Sequence, residues 1–138
     1  RDAALDILLT RLIEPAIAPL GVVFIHDYPA SQAALARLRP GQPQRAERFE
    51  LYVDGIELAN GYHELSDADV LRERNRRANV ARAADGKPPL PEESRLLAAM
   101  EHGLPDCTGV ALGFDRVVLL AAGGRELSEV IAFPTRRA

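Results

Sequence analysis

Two acidic side chains flank a predicted tight turn and could together bind a divalent cation. Residues 48–61 alternate between polar and apolar on both sides of Asp54-Gly55. Asp-Gly between two such runs is typical of a two-residue hairpin turn, in which both residues need positive φ. The hairpin places Glu50 and Glu57 on one face, a few ångströms apart across the strands. Hard carboxylate oxygens suit Mg²⁺ or Mn²⁺, with phosphate completing the coordination shell.

The same register assigns the two faces of the hairpin. Tyr52 is expected opposite Glu57, and Glu50 opposite Ala59, so these four residues share the polar face. The other face is uniformly apolar and is predicted to be the core side; it carries Leu51, Val53, Ile56 and Leu58. A solvated sheet face with arginine neighbours is the alternative to a cation site.

Arg116 falls in the first turn of a predicted helix, where the helix dipole already presents positive potential. A cation is poorly placed there unless an anion joins it. Gly109 and Gly113, just upstream, let the backbone approach a ligand closely. Together they predict a phosphate site with an arginine clamp. A surface pair between Arg116 and Asp115 or a glutamate is the alternative.

Asn60 and Glu64 follow the regular part of the second hairpin strand and could bind an ammonium group. Strand parity places Asn60 on the wrong face, so both join the acidic pair only if the chain kinks at Gly61. Otherwise they are loop residues that lead to a helix cap at Ser66.

The remaining elements follow from periodicity and from glycine and proline positions. We expect a strand at Val22–Ile25, buried on both faces, followed by an extended loop at 29–47 with one helical turn. Further strands are expected at 109–113 and Val130–Phe133. The predicted helices span residues 2–14, which Pro15 ends, then 67–84, a segment from Pro91 to Gly103, and Asp115–Ala122.

Composition indicates one soluble globular domain. The chain has 138 residues, a net charge of −3, 47% apolar residues and a single cysteine. This excludes a disulfide framework and a cysteine-based zinc site, and the acidic balance argues against a chain-wide nucleic-acid surface. The apolar runs are too short to span a membrane, and no targeting segment is visible. A first residue other than Met suggests a piece of a longer protein.

Three ordered motifs resemble a known family. They match the C-terminal half of the catalytic core of class II lysyl-tRNA synthetases: Arg48-Phe49-Glu50, the run from Gly55 to Leu65, and Gly109-Val110-Ala111-Leu112-Gly113-Phe114-Asp115-Arg116, which resembles motif 3. Other details are more similar to the truncated paralogues, the elongation factor P–(R)-β-lysine ligases: Tyr28-Pro29-Ala30-Ser31-Gln32-Ala33, His63, Pro105-Asp106-Cys107 and Ala111.

The resemblance implies an α+β fold, a class II synthetase-like antiparallel sheet flanked by helices, and a role for each motif residue. ATP would be bound by Glu50, Glu57, Gly113 and Arg116, with Mg²⁺ on Glu50 and Glu57. The catalytic residues would be Arg116, on the γ-phosphate, and Glu57. The amino acid would be bound by Asn60, Glu64, Gly109 and Ala111, with Glu64 facing the side-chain ammonium and the Ala111 methyl suiting a β-amino acid.

The implied function is ATP-dependent activation of lysine or β-lysine as an adenylate and its transfer to a lysine of elongation factor P. A lysyl-tRNA synthetase acting on tRNA and a non-catalytic remnant are the alternatives. A homodimer in the full-length protein and a cytoplasmic location would follow from the family. Residues 1–47 lack an Arg-x-Glu after a strand, so motifs 1 and 2 are not found. We therefore expect residues 1–138 to be part of a catalytic domain, with little activity alone.

Overall fold

Within residues 2–134, which the computed structural model describes, five strands form one antiparallel sheet. The strand order is β1-β3-β4-β5, and the short β2 also pairs with β3. The strands are β1 (Val22–Pro29), β2 (Leu38–Arg39), β3 (Gln42–Val53), β4 (Ile56–His63) and β5 (Thr108–Leu112). Helices pack beside this sheet, so the predicted antiparallel sheet flanked by helices is confirmed.

The turn between β3 and β4 has the predicted geometry. Asp54 and Gly55 have φ values of 51° and 79°, both in the left-handed region that a type I′ turn requires. Val53 pairs with Ile56, and Tyr52 with Glu57, as expected. The turn also packs against the N-terminal helices, because a Cβ on Gly55 would lie 2.8 Å from the Cβ of Ala18.

Beyond the pair of Tyr52 and Glu57, the strand register differs from the prediction. Leu51 pairs with Ala59 and Glu50 with Asn60, so Leu58 is an extra residue in β4. Such a bulge reverses the side-chain parity of everything that follows it in the strand. Ala59 is therefore not on the Glu50 face, and Asn60 is. The kink that Asn60 needs lies at Leu58, not at Gly61.

The register, counted through the bulge, assigns each residue to one of the two faces of the sheet. The site face carries Arg48, Glu50, Tyr52, Glu57, Asn60, Tyr62, Gly109 and Ala111. The reverse face carries Phe49, Leu51, Ala59, Gly61, Val110 and Leu112. The prediction that the Leu51 face is the core side is wrong, because its four apolar residues are only half-buried, whereas Glu50 and Tyr52 of the site face are deeply buried. Two aromatic rings meet on the reverse face, Phe24 and Phe49, with centroids 5.7 Å apart.

Several predicted elements differ from the observed ones. The strand at Val22–Ile25 extends to Pro29, but Val22 and Phe24 are more than half exposed, because burial alternates along β1 and these two side chains lie on the reverse face. The predicted loop at 29–47 contains β2 and the start of β3. Val130–Phe133 is not a strand; a single 3₁₀ turn at Leu127–Glu129 precedes it.

The N-terminal helical segment continues through Pro15. It comprises α1 (Asp2–Leu8), a π-helical turn (Leu9–Ile13), α2 (Glu14–Ile17) and a 3₁₀ turn (Ala18–Leu20). Proline lacks an amide hydrogen but is tolerated in the first turn of a helix, and Pro15 is the second residue of α2. The predicted stop at Pro15 is therefore wrong, and the chain crosses this point by widening into a π turn.

Three further helices follow β4 in the sequence. They are α3 (Ala68–Ala84), α4 (Arg95–His102) and α5 (Phe114–Ala121). The cap of α3 is Asp67, one residue after the expected Ser66; its side chain accepts from the amides of Asp69 and Val70. Helix α4 begins at Arg95 instead of Pro91, because Ser94 caps it, and Gly103 ends it as predicted. Helices α3 and α4 enclose a core of Leu65, Leu71, Leu97 and Met100.

Among residues 2–134, none of the helices has the length and apolar character needed to cross a bilayer.

Candidate active site

The carboxylate of Glu50 lies at the centre of a buried polar network. Glu50 is 6% exposed, and both oxygens are engaged. The phenols of Tyr28 and Tyr52 donate to Oε2 at 2.6 and 2.7 Å, and Arg48 Nη2 lies 2.5 Å from Oε1. A buried carboxylate is stable only when paired and hydrogen-bonded in this way. Burial, together with the bonds to Glu50, raises the pKa of both phenols well above the ordinary value of 10.

Arg48 connects this network to the next strand. Its guanidinium stacks on the ring of Tyr28, 4.3 Å from the centroid. Its Nε donates to Oδ1 of Asn60 at 3.3 Å, and its Nη1 donates to the carbonyl of Gln32 at 2.7 Å. Arg48 therefore fixes the positions of Glu50 and Asn60 relative to each other.

Arg116 and Glu57 form the second part of the site. Arg116 is the third residue of α5, in its first turn, as predicted. Its Nη1 donates to the Glu57 carbonyl at 2.6 Å and lies 3.4 Å from Glu57 Oε2. Both side chains are more than one third exposed, so the glutamate pair that was the alternative to a phosphate site is present. Within residues 2–134, the hydrogen bond of the guanidinium uses Nη1, which leaves Nε and Nη2 available to an anion. The Gly113 amide donates to the Leu58 carbonyl, which ties the helix start to the bulge.

A cleft of about 300 Å³ opens beside this pair, lined by Glu14, Ile56, Glu57, Arg116, Leu119, Arg125 and Leu127. Glu14 is contributed by α2, which follows the π turn. Burial and the nearby charges of Glu57 and Glu50 raise the pKa of Glu14. Three carboxylates therefore influence the same region, next to the Arg116 guanidinium.

The residues that were expected to bind the amino-acid substrate lie together along the site face. Asn60 pairs with Ala111, and Tyr62 with Gly109, across β4 and β5. The Glu64 side chain lies over Gly109, since a Cβ there would be 3.3 Å from the Glu64 carboxyl carbon and closer still to Oε1. Gly109 therefore leaves the space that the Glu64 carboxylate occupies. Asn60, Glu64, Gly109 and Ala111 form one patch next to Glu50.

The donor set fits a cation that phosphate helps to bind. Residues 2–134 contain no group of three His, Cys, Asp or Glu side chains that could hold a metal. Magnesium commonly takes only one or two carboxylates and completes its shell with phosphate and water. Glu57 has an accessible carboxylate, whereas Glu50 already accepts two phenols and a guanidinium. The Glu57 carboxylate therefore has oxygen atoms accessible to a cation, whereas the Glu50 carboxylate is already engaged and adds buried negative charge to the region.

Several residues of the site were missed by sequence reasoning. Tyr28 and Arg48 lie inside the resembling motifs and Tyr52 lies on the predicted polar face, but the sequence predicts no functional role for them, and Glu14 is predicted only as the end of the helix over 2–14. The alternation of β3 already puts Arg48 and Tyr52 on the Glu50 face, so that signal was available. The approach of Tyr28 and Glu14 depends on tertiary packing, which a pattern does not contain.

Comparisons with known proteins identify the family of this chain. The model of the family described as tRNA synthetases class II (D, K and N) matches residues 16–137. An elongation factor P–(R)-beta-lysine ligase of Klebsiella pneumoniae is 53% identical over all 138 residues, which cover 42% of that protein. Ligases of the same name from Edwardsiella ictaluri and Yersinia enterocolitica are 50% and 49% identical over the same share.

The chain spans about two fifths of the length of the curated relatives it matches, since it covers 42% of each. The family match covers far more than half of the chain and includes every residue of the site face; Glu14, which lines the cleft, lies just outside it. The chain belongs to the class II tRNA synthetase family (D, K and N).

Proposed function

We propose that this chain forms part of an ATP-dependent ligase that activates lysine or β-lysine as an adenylate and transfers it to a lysine of elongation factor P. The observation that carries the proposal is the arrangement on one sheet face. A carboxylate over a glycine, Glu64 over Gly109, lies at one end, and a guanidinium at a helix start, Arg116, lies at the other. The names of relatives about 50% identical support the choice of acceptor.

The amino acid is proposed to bind with its side-chain ammonium at Glu64. An ammonium and a carboxylate form a charge-assisted hydrogen bond, and Asn60 offers an amide beside it. The side-chain carbonyl of Asn60 accepts a hydrogen bond from Arg48. The NH₂ group of Asn60 is therefore proposed to face the ligand. Ala111 lies opposite Asn60 in β5 and limits the space at the backbone end of the substrate.

The triphosphate is proposed to bind at Glu57, Gly113 and Arg116. Arg116 would neutralise charge on the terminal phosphate, and Mg²⁺ held by Glu57, with Glu50 behind it, would supply further positive charge to the phosphate oxygens. The substrate carboxylate attacks the α-phosphorus, the bond to the β-phosphate bridging oxygen breaks, and pyrophosphate leaves. Catalysis on this scheme depends on positioning and electrostatics, and no side chain becomes a covalent nucleophile.

Transfer completes the proposed reaction. A lysine amine of elongation factor P attacks the activated carbonyl, and the adenylate leaves as AMP. Residues 1–138 alone are expected to bind ATP weakly and to have little activity, because motifs 1 and 2 would come from elsewhere in the protein. The competent form is proposed to be the complete gene product as a homodimer.

Incubation of the complete gene product with ATP, β-lysine or lysine, and elongation factor P tests the proposal. A mass increase of elongation factor P equal to one acylation is expected. Charging of tRNA without that increase would instead identify a lysyl-tRNA synthetase. Absence of both products would mean a remnant that binds without chemistry, and the proposal would be wrong.

A further inference from the structure

A second polar cluster lies at the end of β4, behind Glu64. The imidazole of His63 sits between two carboxylates, with Nδ1 2.7 Å from Glu47 Oε2 and Nε2 2.7 Å from Asp106 Oδ1. Arg37 completes the cluster, with Nε 3.3 Å from Glu47 Oε2 and Nη2 3.1 Å from Asp106 Oδ1. Arg37 Nη2 also lies 2.9 Å from His63 Nδ1 and contacts Nε2, so the imidazole packs between the guanidinium and the two carboxylates. The hydrogen bond from His63 lowers the pKa of Asp106.

The cluster joins the segments that hold the Glu64 backbone. The Glu64 amide donates to the Cys107 carbonyl at 3.0 Å, and the Leu65 amide donates to the Leu35 carbonyl at 2.8 Å. The Arg37 amide donates to the His63 carbonyl at 2.9 Å. The loops that carry Arg37 and Asp106 are thus the same loops that fix the chain on both sides of Glu64.

The side chains of the cluster lie on the opposite face from the Glu64 carboxylate. His63 and Glu64 are consecutive, so their side chains point to opposite faces of the sheet. The loop that carries Asp106 leads directly into β5, whose Gly109 is the floor beneath Glu64. A shift of this loop would therefore move both the backbone support and the floor of the recognition carboxylate.

We propose that His63 is a positioning residue: by bridging Glu47 and Asp106 it holds Glu64 over Gly109, and so sets the affinity for an amino acid with a side-chain ammonium. This inference rests on the proposed function for its ligand. His63 touches no part of the substrate on this scheme. It acts through the loop before β5.

The expected size of the effect separates this role from ordinary stabilisation. The Asp106 side chain is 72% exposed, and ion pairs of that exposure contribute little to folding. A displacement of about 1 Å at a recognition group, however, can cost as much as roughly 100-fold in rate. The cluster should therefore affect substrate affinity more than the stability of the fold.

The test uses lysine-dependent ATP–pyrophosphate exchange by the complete gene product. We expect His63→Phe, which keeps an aromatic ring but removes both ring nitrogens, to raise the KM for lysine or β-lysine roughly tenfold, with the KM for ATP unchanged. Asp106→Asn is the second variant: its exposed side chain can change without unfolding the protein, and it should raise the same KM by a smaller factor, because the amide oxygen still accepts from Nε2 but carries no charge. His63→Gln, whose amide can still donate to Asp106, should recover part of the affinity. Combining His63→Phe with Asp106→Asn should add little to His63→Phe alone.

Two results would overturn the inference. One is an unchanged KM for the amino acid in both His63→Phe and Asp106→Asn. The other is an equal rise in the KM for ATP and for the amino acid, which would indicate general loosening. If the unsubstituted protein shows no ATP–pyrophosphate exchange, the proposed function fails, and amide hydrogen exchange then tests the positioning role of His63 by itself. The Glu64 amide should exchange faster in His63→Phe, and an unchanged rate would contradict the positioning role.

Discussion

The carboxylate of Glu64 occupies the space that a side chain at Gly109 would fill. A Cβ on Gly109 would lie 3.3 Å from the Glu64 carboxyl carbon, and the oxygen Oε1 would be closer still. Gly109 belongs to β5, and Glu64 follows the end of the neighbouring strand β4. The position of the acid therefore depends on the absence of a side chain in the adjacent strand. This relationship makes the proposed ammonium site unusually sensitive to one methyl group.

Gly109→Ala should displace the Glu64 carboxylate and weaken binding of lysine or β-lysine. We expect a rise in KM for the amino acid of roughly tenfold or more, since loss of a charge-assisted hydrogen bond costs about 1.5–3 kcal/mol. Steady-state pyrophosphate exchange by the complete gene product measures it. Gly61→Ala is the control for crowding of the sheet itself, because its Cβ would overlap Phe49 on the reverse face and lie 3.1 Å from the Gly109 carbonyl oxygen, with no Glu64 atom among its nearest neighbours. An unchanged KM in Gly109→Ala, or an equal rise in both variants, would count against the placement of Glu64.

Arg116→Ala should weaken ATP binding without affecting recognition of the amino acid. The guanidinium is proposed to contact phosphate, and charged hydrogen bonds of this kind contribute about 1.5–3 kcal/mol, or roughly a 10- to 100-fold rise in the KM for ATP. Arg76→Ala on α3 is the control, since that side chain is 68% exposed and lies in a different element. A KM for ATP that stays within twofold in Arg116→Ala would exclude the proposed role.

Gly55→Ala should destabilise the fold more than Gly41→Ala. Both glycines have positive φ, 79° and 75°, so both substitutions introduce backbone strain of about 1 kcal/mol or more. A Cβ at Gly55 also meets Ala18 at 2.8 Å, whereas a Cβ at Gly41 meets open space. Chemical denaturation of the two variants isolates the packing of the N-terminal helices on the turn. Equal losses of unfolding free energy would show that this packing contributes nothing.

Tyr28 and Tyr52 should remain protonated at pH values where ordinary tyrosines ionise. Their pKa values are raised in the folded state, so unfolding releases protons above the ordinary value of 10. The stabilisation is therefore complete below about pH 10, and it is lost as the pH rises towards the raised folded-state values. Phenolate absorbance during alkaline titration measures this, with Tyr28→Phe and Tyr52→Phe to assign the signal. If these two phenols ionise near pH 10 in the folded protein, they are not held by Glu50.

Local signals predicted the parts of the fold that depend on one or two neighbouring residues. Asp54-Gly55 predicted the hairpin turn and the pairing of Tyr52 with Glu57. The polar and acidic residues from Ser66 to Asp69 predicted the start of α3 within two residues, and Gly103 predicted the end of α4. The position of Arg116 in the first turn of α5 also followed from sequence alone.

The bulge at Leu58 could not be predicted, because Leu58 and Ala59 are both apolar and fit either face. Its consequence is large, since it moves Asn60 onto the Glu50 face without any kink at Gly61. The partners of Glu50 were missed for a different reason. Tyr28 reaches it from β1, and that contact depends on strand order, which alternation does not encode.

The most direct measurement is ATP–pyrophosphate exchange by the complete gene product, with β-lysine, lysine and norleucine compared at equal concentration. Norleucine has the same carbon chain as lysine but no side-chain ammonium, so it cannot pair with Glu64. We expect exchange with lysine or β-lysine, none with norleucine, and loss of that selectivity in Glu64→Gln. Equal exchange with norleucine, or selectivity that survives Glu64→Gln, would contradict an ammonium site at Glu64.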